Sequence, residues 1–562
     1  MMAIDGSGAT TVATTCDVVV VGYGPVGMTL AALLAQRGLD VLVIERHAQR
    51  WALPRAGHLD GETMRTFQGL GIGYDVELVA RPMLEWALTT GDHDVLATIA
   101  LGESGLGWKA DYLSHQPEFE GIIDARARRL GVRVHRGVTA VALEQDEHRV
   151  LLGVRPTDAP GAEGYTVQAS FAVGADGAGS FVADALGVRR HDLGFSARPQ
   201  LVVDFEHRDP DRDLPALQEV RQVLDIRRPH LAGRWSGGRW SRWEFAARAD
   251  ESREDLEDEA ACWELLRAWG ITAEDGRIVR RTVYEFRSLL ADRWRCGRVL
   301  LVGDAAHTMP PFMGQGMCSG IRDAVNLAWK LAAVLAGDAD SSLLDTYESE
   351  RVPHVKALIE MSMAVGDMVL LTDPEAAARR DDLLRAQGAP LPPSFPRLGA
   401  GLVRRAEHAD GSDADGRPAR QGRVVWQGKL ALFDDQFPTS GWKLVSRHRI
   451  PPEVFDARQR ATLTALGVEF AHISRAAGQG HFVDLDGDYD LWFRATGRKA
   501  FLCRPDNYVF GSARTLDDLP ALVDDLTEAL SRHGWRPPRI RQETPERMES
   551  DESRSISLRS RD

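Results

Sequence analysis

Residues 17–21 form an uninterrupted, mostly β-branched run, the pattern of a strand buried on both faces. The glycine-rich GYGPVG follows, and apolar positions then recur at Leu30, Leu33 and Leu34 until Gly38, which predicts a helix with a glycine stop. Pro25 suits the first turn of that helix, where its missing N–H would have no intrahelical partner. Residues 40–44 repeat the buried-strand pattern and end on Glu45 and Arg46. Strand, glycine turn, helix and strand make one βαβ unit.

Between residues 85 and 290 the pattern shifts to shorter alternating strands and charged loops, including the acidic, helix-like stretch 250–259. The α/β pattern resumes at 299–302, an apolar strand running into Gly303 and Asp304. A long helix comes next, with Ile321, Ala324, Val325, Ala328 and Leu331 at helical spacing. A β-rich segment interrupting one α/β domain predicts a substrate-facing sheet beside a nucleotide-binding one. Polar 404–422 reads as a linker or long surface loop. Beyond it, strands at 442–446 and 508–510 and a helix carrying Leu519, Leu522, Val523, Leu526 and Leu530 predict a small separate α/β domain. No internal repeat is present.

Composition narrows the function classes. With 68 basic and 82 acidic residues in 562, the net charge of −14 argues against nucleic acid, whose phosphates need a dominant basic field. The longest apolar stretch, 18–35, is broken by Gly22, Gly24, Pro25 and Gly27, so no membrane span is expected. The five cysteines (Cys16, Cys262, Cys296, Cys318, Cys503) form no CxxC and no zinc pattern. No disulfide framework and no metal site are expected, and a reducing cytoplasm is the natural compartment. The first 16 residues lack Lys, Arg and an apolar core, unlike a secretory signal.

In GYGPVG, Gly22 permits the tight turn, Gly24 lets the backbone approach a pyrophosphate, and Gly27 lets helix and strand pack closely. The helix N-terminus, with Pro25 and Val26, supplies N–H donors. Glu45, 18 residues after Gly27, is placed to bind ribose hydroxyls. The motif alone does not distinguish FAD from NAD. A second constellation, GRVLLVGDAAH followed by TMPPFMGQGMCSGIRDAVNLAWKL, puts Asp304 at a strand end, where it can accept bonds from sugar-alcohol hydroxyls. The N–H groups around Gly314, Gln315, Gly316 and Met317 can stabilise negative charge on a ring system, as a reduced flavin requires.

Over about residues 15–535 these motifs resemble, in order, the single-component FAD-dependent aromatic hydroxylases of the p-hydroxybenzoate hydroxylase type, most closely the 3-(3-hydroxyphenyl)propionate hydroxylases. The resemblance implies a Rossmann-like FAD-binding domain from 1–185 and 285–400, a β-rich substrate domain at 186–284, a thioredoxin-like domain at 401–540 and a disordered tail at 541–562. It assigns Gly303 and Asp304 to the FAD ribityl or ribose chain, and Asp176 of VGADGAGS to the FAD and NAD(P)H pyrophosphates. It places Arg55 near a pyrophosphate, Gln116 near the ribityl chain, and Pro311 with Gly314–Met317 along the isoalloxazine. Cys318 stands where many relatives have Asn, and Ala183 where the Asp176 motif usually has Arg. With Cys503 alone in its C-terminal part, the chain offers no dithiol there, so that domain is expected to be structural.

The implied activity is a monooxygenase: NADH or NADPH reduces noncovalently bound FAD, O₂ adds, and a flavin C4a-hydroperoxide hydroxylates a small phenolic substrate. Other readings stay open: a polyketide-type phenol as substrate, a Baeyer–Villiger oxidation, an NAD-dependent dehydrogenase, or a silent scaffold. The WxWxIP signature of flavin halogenases is absent. Trp235, Trp240 and Trp243 are candidates for an aromatic pocket, although large residues on half-buried strands are usually core. His58 and Tyr284 could serve the phenol as general base, although a His or Tyr read from sequence alone is usually a satisfied structural residue. No catalytic base is identified, His307 is expected to be held by backbone hydrogen bonds, and a homodimer is left open.

Overall fold

The computed structural model describes residues 12–195, 198–389, 395–404, 414–437, 440–476 and 481–536. The tail predicted to be disordered, 541–562, and residues 405–413 of the predicted linker lie outside the described residues.

The first βαβ unit forms as its pattern dictates: Val12–Val21, the helix Pro25–Gln36 and Val41–Glu45. The first strand starts earlier than the apolar run because Val12–Cys16, although partly polar and half-exposed, pair along Tyr165–Gly174. The parallel core of an eight-stranded sheet runs Val299–Leu301, Tyr165–Gly174, Val12–Val21, Val41–Glu45, Arg133–Arg136. Its side chains, Val18 to Val21 and Val41 to Ile44 among them, are buried on both faces, in one core with the helices Pro25–Gln36 and Gln315–Leu335 and the antiparallel strands Val138–Gln145 and Val150–Pro156, which explains why these strands read as continuous apolar runs.

A seven-stranded sheet forms the second layer, in the order Gly276–Tyr284, Gln200–His207, Trp240–Ala246, His230–Arg234, Val220–Val223, Glu85–Thr89, Val95–Ala100. It reaches beyond the 186–284 segment assigned to it. Two strands come from residues 85–100, joined by the parallel pairing of Glu85–Thr89 with Val220–Val223. One face packs Leu201, Val203, Phe205, Trp243 and Phe245 against the helix Glu259–Arg267. The other face looks toward the first domain.

The C-terminal part is built on a mixed seven-stranded sheet, with Lys443–Ser446 and Val509–Ala513 close to the predicted strands, and the helix Leu519–Ser531 as expected. This domain is docked firmly. Trp329 of the helix Gln315–Leu335 meets Trp442 edge-on at 6.0 Å, and both belong to the core beneath Leu519–Ser531. Beside them Glu350 accepts from Lys330 Nζ and from Arg504 Nη2, each at 2.8 Å, and all three side chains are fully buried. No helix among the described residues is long and apolar enough to cross a membrane.

Candidate cofactor and substrate site

A cavity of about 1460 Å³ lies between the carboxyl ends of the parallel strands and the open face of the seven-stranded sheet. Ligands of open α/β sheets bind at such strand ends. The glycines of GYGPVG divide by role. Gly22 has φ +101° and a Cβ there would stand 2.4 Å from the Ala175 carbonyl oxygen, while a Cβ on Gly27 would stand 2.2 Å from the Gly22 oxygen. Gly24 has no atom within 4 Å of that position, so its backbone is open to the cavity. Gly24 also caps the helix Pro25–Gln36 without a side-chain acceptor for the first N–H groups, leaving an anion site. Val26 and Pro25 line the same wall.

Glu45 is buried at its strand end, where one oxygen accepts the Tyr23 N–H and the other the His47 N–H, both at 2.8 Å. Each oxygen keeps a lone pair for a ligand hydroxyl. Arg46 and Arg55 line this end, and the Arg55 guanidinium lies 5.1 Å from the Trp51 ring centroid. Gln116 also lines it, but its amide is already engaged. Its Oε1 accepts from Arg55 N at 2.8 Å and Ala56 N at 2.7 Å, and its Nε2 donates to Glu120 at 2.6 Å. Gln116 therefore shapes the loop carrying Arg55.

At the carboxyl end of Val299–Leu301 Gly303 turns the chain at φ +59° and the Asp304 side chain opens onto the cavity. Its exposure is to the cavity interior rather than to the outer surface. That enclosure raises its carboxyl above the ordinary aspartate value, with His307 and Arg55 opposing, and no described donor meets it. An enclosed carboxylate without a partner fits the hydroxyls of a cofactor's sugar-alcohol chain. The turn is fixed from behind: His307 N–H donates to the Gly303 carbonyl at 2.9 Å, and its ring Nε2 meets Asp323 at 2.7 Å. The ring bond adds to the backbone role expected for His307.

Pro311 and Gly314 to Met317 line the cavity at the start of the helix Gln315–Leu335. Gly314 has φ +65°, and a Cβ there would sit 2.8 Å from the His58 ring, so glycine is required twice over. The Gln315 side chain turns away from the cavity's needs and accepts from Arg322 at 2.9 Å. His58 is held between two acceptors, Asp111 Oδ1 at 2.7 Å from Nε2 and the Gly314 oxygen at 3.2 Å from Nδ1. Burial disfavours its charge, but Asp111 and, beside it, Cys318 outweigh that and hold its pKa well above the ordinary value.

Asp176 accepts from the Ser180 hydroxyl and from Val182 N at 3.1 Å, and burial raises its carboxyl. Ala183, where the resembled motif has Arg, is fully buried. A guanidinium nevertheless reaches this turn from elsewhere: Arg190 donates to the Ala178 carbonyl and lies 3.4 Å from Asp184.

At the sheet side, Trp235 and Tyr284 line the cavity, with Trp235 only 4% exposed. Trp243 does not. It is fully buried on the other face, against Phe205 and Trp269 at 6.4 and 6.3 Å, because side chains alternate along Trp240–Ala246 and 243 points opposite to 242 and 244. Trp240 stacks on His115 at 4.2 Å, away from the cavity lining. The alternation brings in residues the sequence reading overlooked, Arg242 and Glu244. Arg242 bonds Asp204 at 2.7 Å and the Arg55 and Pro54 carbonyls at 3.1 Å, pinning the substrate sheet to the loop that carries Arg55.

Comparison with known proteins agrees with this geometry. Residues 15–362 match the family described as "FAD binding domain", and residues 416–529 the "HcaD C-terminal domain". A "Probable NADH-specific resorcinol 4-hydroxylase" of Rhodococcus jostii is 38% identical over 93% of this chain and 96% of its own length. A "3-(3-hydroxy-phenyl)propionate/3-hydroxycinnamic acid hydroxylase" of Mycolicibacterium smegmatis is 31% identical, covering 92% of each chain. The fold matches the crystal structure of aklavinone-11 hydroxylase with FAD and aklavinone at a TM-score of 0.75 and 23% identity, over 92% of this chain and 99% of that one.

Proposed function

Because this chain belongs to the FAD-dependent aromatic hydroxylases, we propose that it uses NADH to hydroxylate a small phenol of the resorcinol type. The observation that carries this reading is a single cavity lined both by the nucleotide-facing Gly24 and Asp304 and by the aromatic sheet residues Trp235 and Tyr284. NADH as donor and resorcinol as acceptor rest on the name of the Rhodococcus relative.

Bound FAD supplies the redox chemistry: NADH provides two electrons, one atom of O₂ enters the ring and the other leaves as water. The protein's tasks are binding, orientation and exclusion of water. The N–H groups behind Gly24 would hold the pyrophosphate, Glu45 would take the ribose, and Asp304 would take the sugar-alcohol chain. The start of the helix Gln315–Leu335, which lines the cavity, would present its positive end to the ring system. The seven-stranded sheet closes the cavity from the far side, and its aromatic and aliphatic residues keep the reacting centre dry.

We further read 414–536 as thioredoxin-like. The support is a parallel Lys443–Ser446/Glu469–Ser474 pair joined through the helix Ala457–Ala465, followed by antiparallel Ala500–Cys503 and Val509–Ala513 and a closing helix. Cys503 is buried there and burial raises its thiol to about 11, which suits a structural role.

The test is a visible spectrum of the purified protein, then NADH oxidation with resorcinol and with 3-(3-hydroxyphenyl)propionate, with products identified by mass. Stoichiometric flavin and a product heavier by one oxygen are expected. A colourless protein, or NADH oxidation that yields only hydrogen peroxide with every phenol, overturns the reading.

A further inference from the structure

Strand register places one carboxylate in the middle of the cavity roof. Thr282, Val202, Glu244 and Leu231 are cross-strand neighbours on four adjacent strands, and the next cavity-facing row holds Asp204 and Arg242. Val202, Leu231, Val220 and Trp86 make this roof apolar. Glu244 lines it with a side chain 20% exposed, toward the cavity.

Glu244 has no hydrogen-bond donor among the described residues. The nearest cation, Arg242, stands 3.7 Å away, and its Nε, Nη1 and Nη2 are already committed to Asp204, the Arg55 carbonyl and the Pro54 carbonyl. Asp204, by contrast, is satisfied by both Arg242 and Arg280. Burial pushes the Glu244 carboxyl above the ordinary glutamate value; Asp204 adds to that, and Arg242 and Arg280 oppose it. A buried acceptor left without a donor is costly, so its partner is expected to arrive with the ligand. Two donors on the same wall are also unpaired: the indole N–H groups of Trp86 and Trp235.

We propose that Glu244 accepts the hydrogen bond of the substrate's phenolic hydroxyl and thereby selects uncharged, polyhydroxylated arenes over arenes bearing a carboxylate. The idea rests on the hydroxylase reading above and assigns its acceptor. A hydroxyl donates to Glu244, and the oxygen of a second hydroxyl can accept from an indole. A ligand carboxylate would bring a second negative charge toward Glu244, and Arg242 is already shared between Asp204 and Glu244. Of the other arginines near this wall, Arg280 is buried behind it in an ion pair with Asp204 and does not line the cavity, and Arg287 is exposed on the wall that Tyr284 and Phe286 also line.

The experiment uses the FAD-bound enzyme and its Glu244→Gln, Glu244→Asp and Arg287→Gln variants. Resorcinol and 3-(3-hydroxyphenyl)propionate are titrated while the flavin absorbance is followed. Wild type is expected to bind resorcinol at least about tenfold more tightly than the propionate, since charge-assisted hydrogen bonds are roughly twice as strong as neutral ones. Glu244→Gln is expected to weaken resorcinol about tenfold and to narrow the gap between the ligands, at an unchanged flavin-to-protein ratio. Glu244→Asp falls between, and decides the matter if Glu244→Gln does not fold. Arg287→Gln leaves resorcinol binding unchanged. Wild-type preference for the propionate, or resorcinol binding indifferent to both Glu244 substitutions, overturns the assignment while leaving the hydroxylase reading intact. Failure of wild type to hydroxylate any phenol removes that reading instead.

Discussion

Asp323 accepts the His307 ring at 2.7 Å and the Gly303 N–H at 3.1 Å through one oxygen, while its other oxygen accepts Arg351 at 2.8 Å. One carboxylate on the helix lining the cavity thus fixes the turn that presents Asp304. Burial opposes its ionisation, but His307 and Arg351 outweigh that and hold its carboxyl below the ordinary range. Asp323→Asn leaves Arg351 buried without its anion, a change that costs about 3–5 kcal/mol. The expected result is a lower urea midpoint by near-ultraviolet circular dichroism together with weaker flavin retention. A variant as stable as wild type and equally yellow contradicts the arrangement.

Asp304→Asn is expected to give the opposite pairing of effects. Because the folded-state carboxyl is raised, the apoprotein holds its proton more tightly than the unfolded chain does. Stability from this group is therefore lost as pH rises through its folded value, and at neutral pH the charge is a burden. Removing it should raise the melting temperature of the apoprotein while reducing FAD affinity about tenfold or more. Differential scanning fluorimetry of flavin-stripped protein and fluorescence titration with FAD measure the two separately.

Gly24 and Gly27 of GYGPVG should respond differently to alanine. Gly27→Ala pushes a Cβ against the Gly22 oxygen at 2.2 Å, a clash with backbone that must move helix or strand. Gly24→Ala meets no protein atom within 4 Å and keeps an extended φ of −81° that alanine accepts. It should fold with the stability of the wild-type apoprotein and yet bind FAD poorly, since the methyl group would occupy the approach proposed for the pyrophosphate. Equal loss of stability in both variants would show that Gly24 serves packing alone.

The contrast between Trp235 and Trp243 marks what could be read from the sequence and what could not. Motifs whose residues line the common cavity are visible because their chemistry is local: a glycine turn, a strand-end acid, a helix start. The tryptophans were grouped by composition, although a period of two already separates Trp243 from Arg242 and Glu244 along WSRWEF. That signal was present and unused. Other features had no local signal at all. The pairing of Glu85–Thr89 with Val220–Val223 and the meeting of Arg242 with Asp204 and the Pro54 carbonyl join residues far apart in sequence, and only the assembled sheet reveals them. The Arg190 guanidinium behind the Asp176 turn is of the same kind, because position 183 itself holds alanine.

The docking of the C-terminal domain should fail first in acid. Glu350, buried with Lys330 and Arg504, also accepts the Leu402 N–H at 2.7 Å, so it ties the helix Asp345–Val369 to the C-terminal layer. Burial alone would raise its carboxyl, but Arg504 and then Lys330 hold it far below the ordinary value of 4.5. A depressed carboxyl contributes stability that is complete above its unfolded value and is lost as pH falls below it. Burial also lowers Lys330 to about 8, with Glu350 opposing, so the pair is fully charged between about pH 5 and 7. Between pH 7 and 5 the cluster's contribution to the urea midpoint should stay constant, and below pH 4.5 it should fade. Glu350→Gln strands two buried cations and should lose about 3–5 kcal/mol at pH 7. Its urea midpoint should also fall less steeply with acid than that of wild type. Parallel acid profiles for the two proteins would show that another group governs the docking.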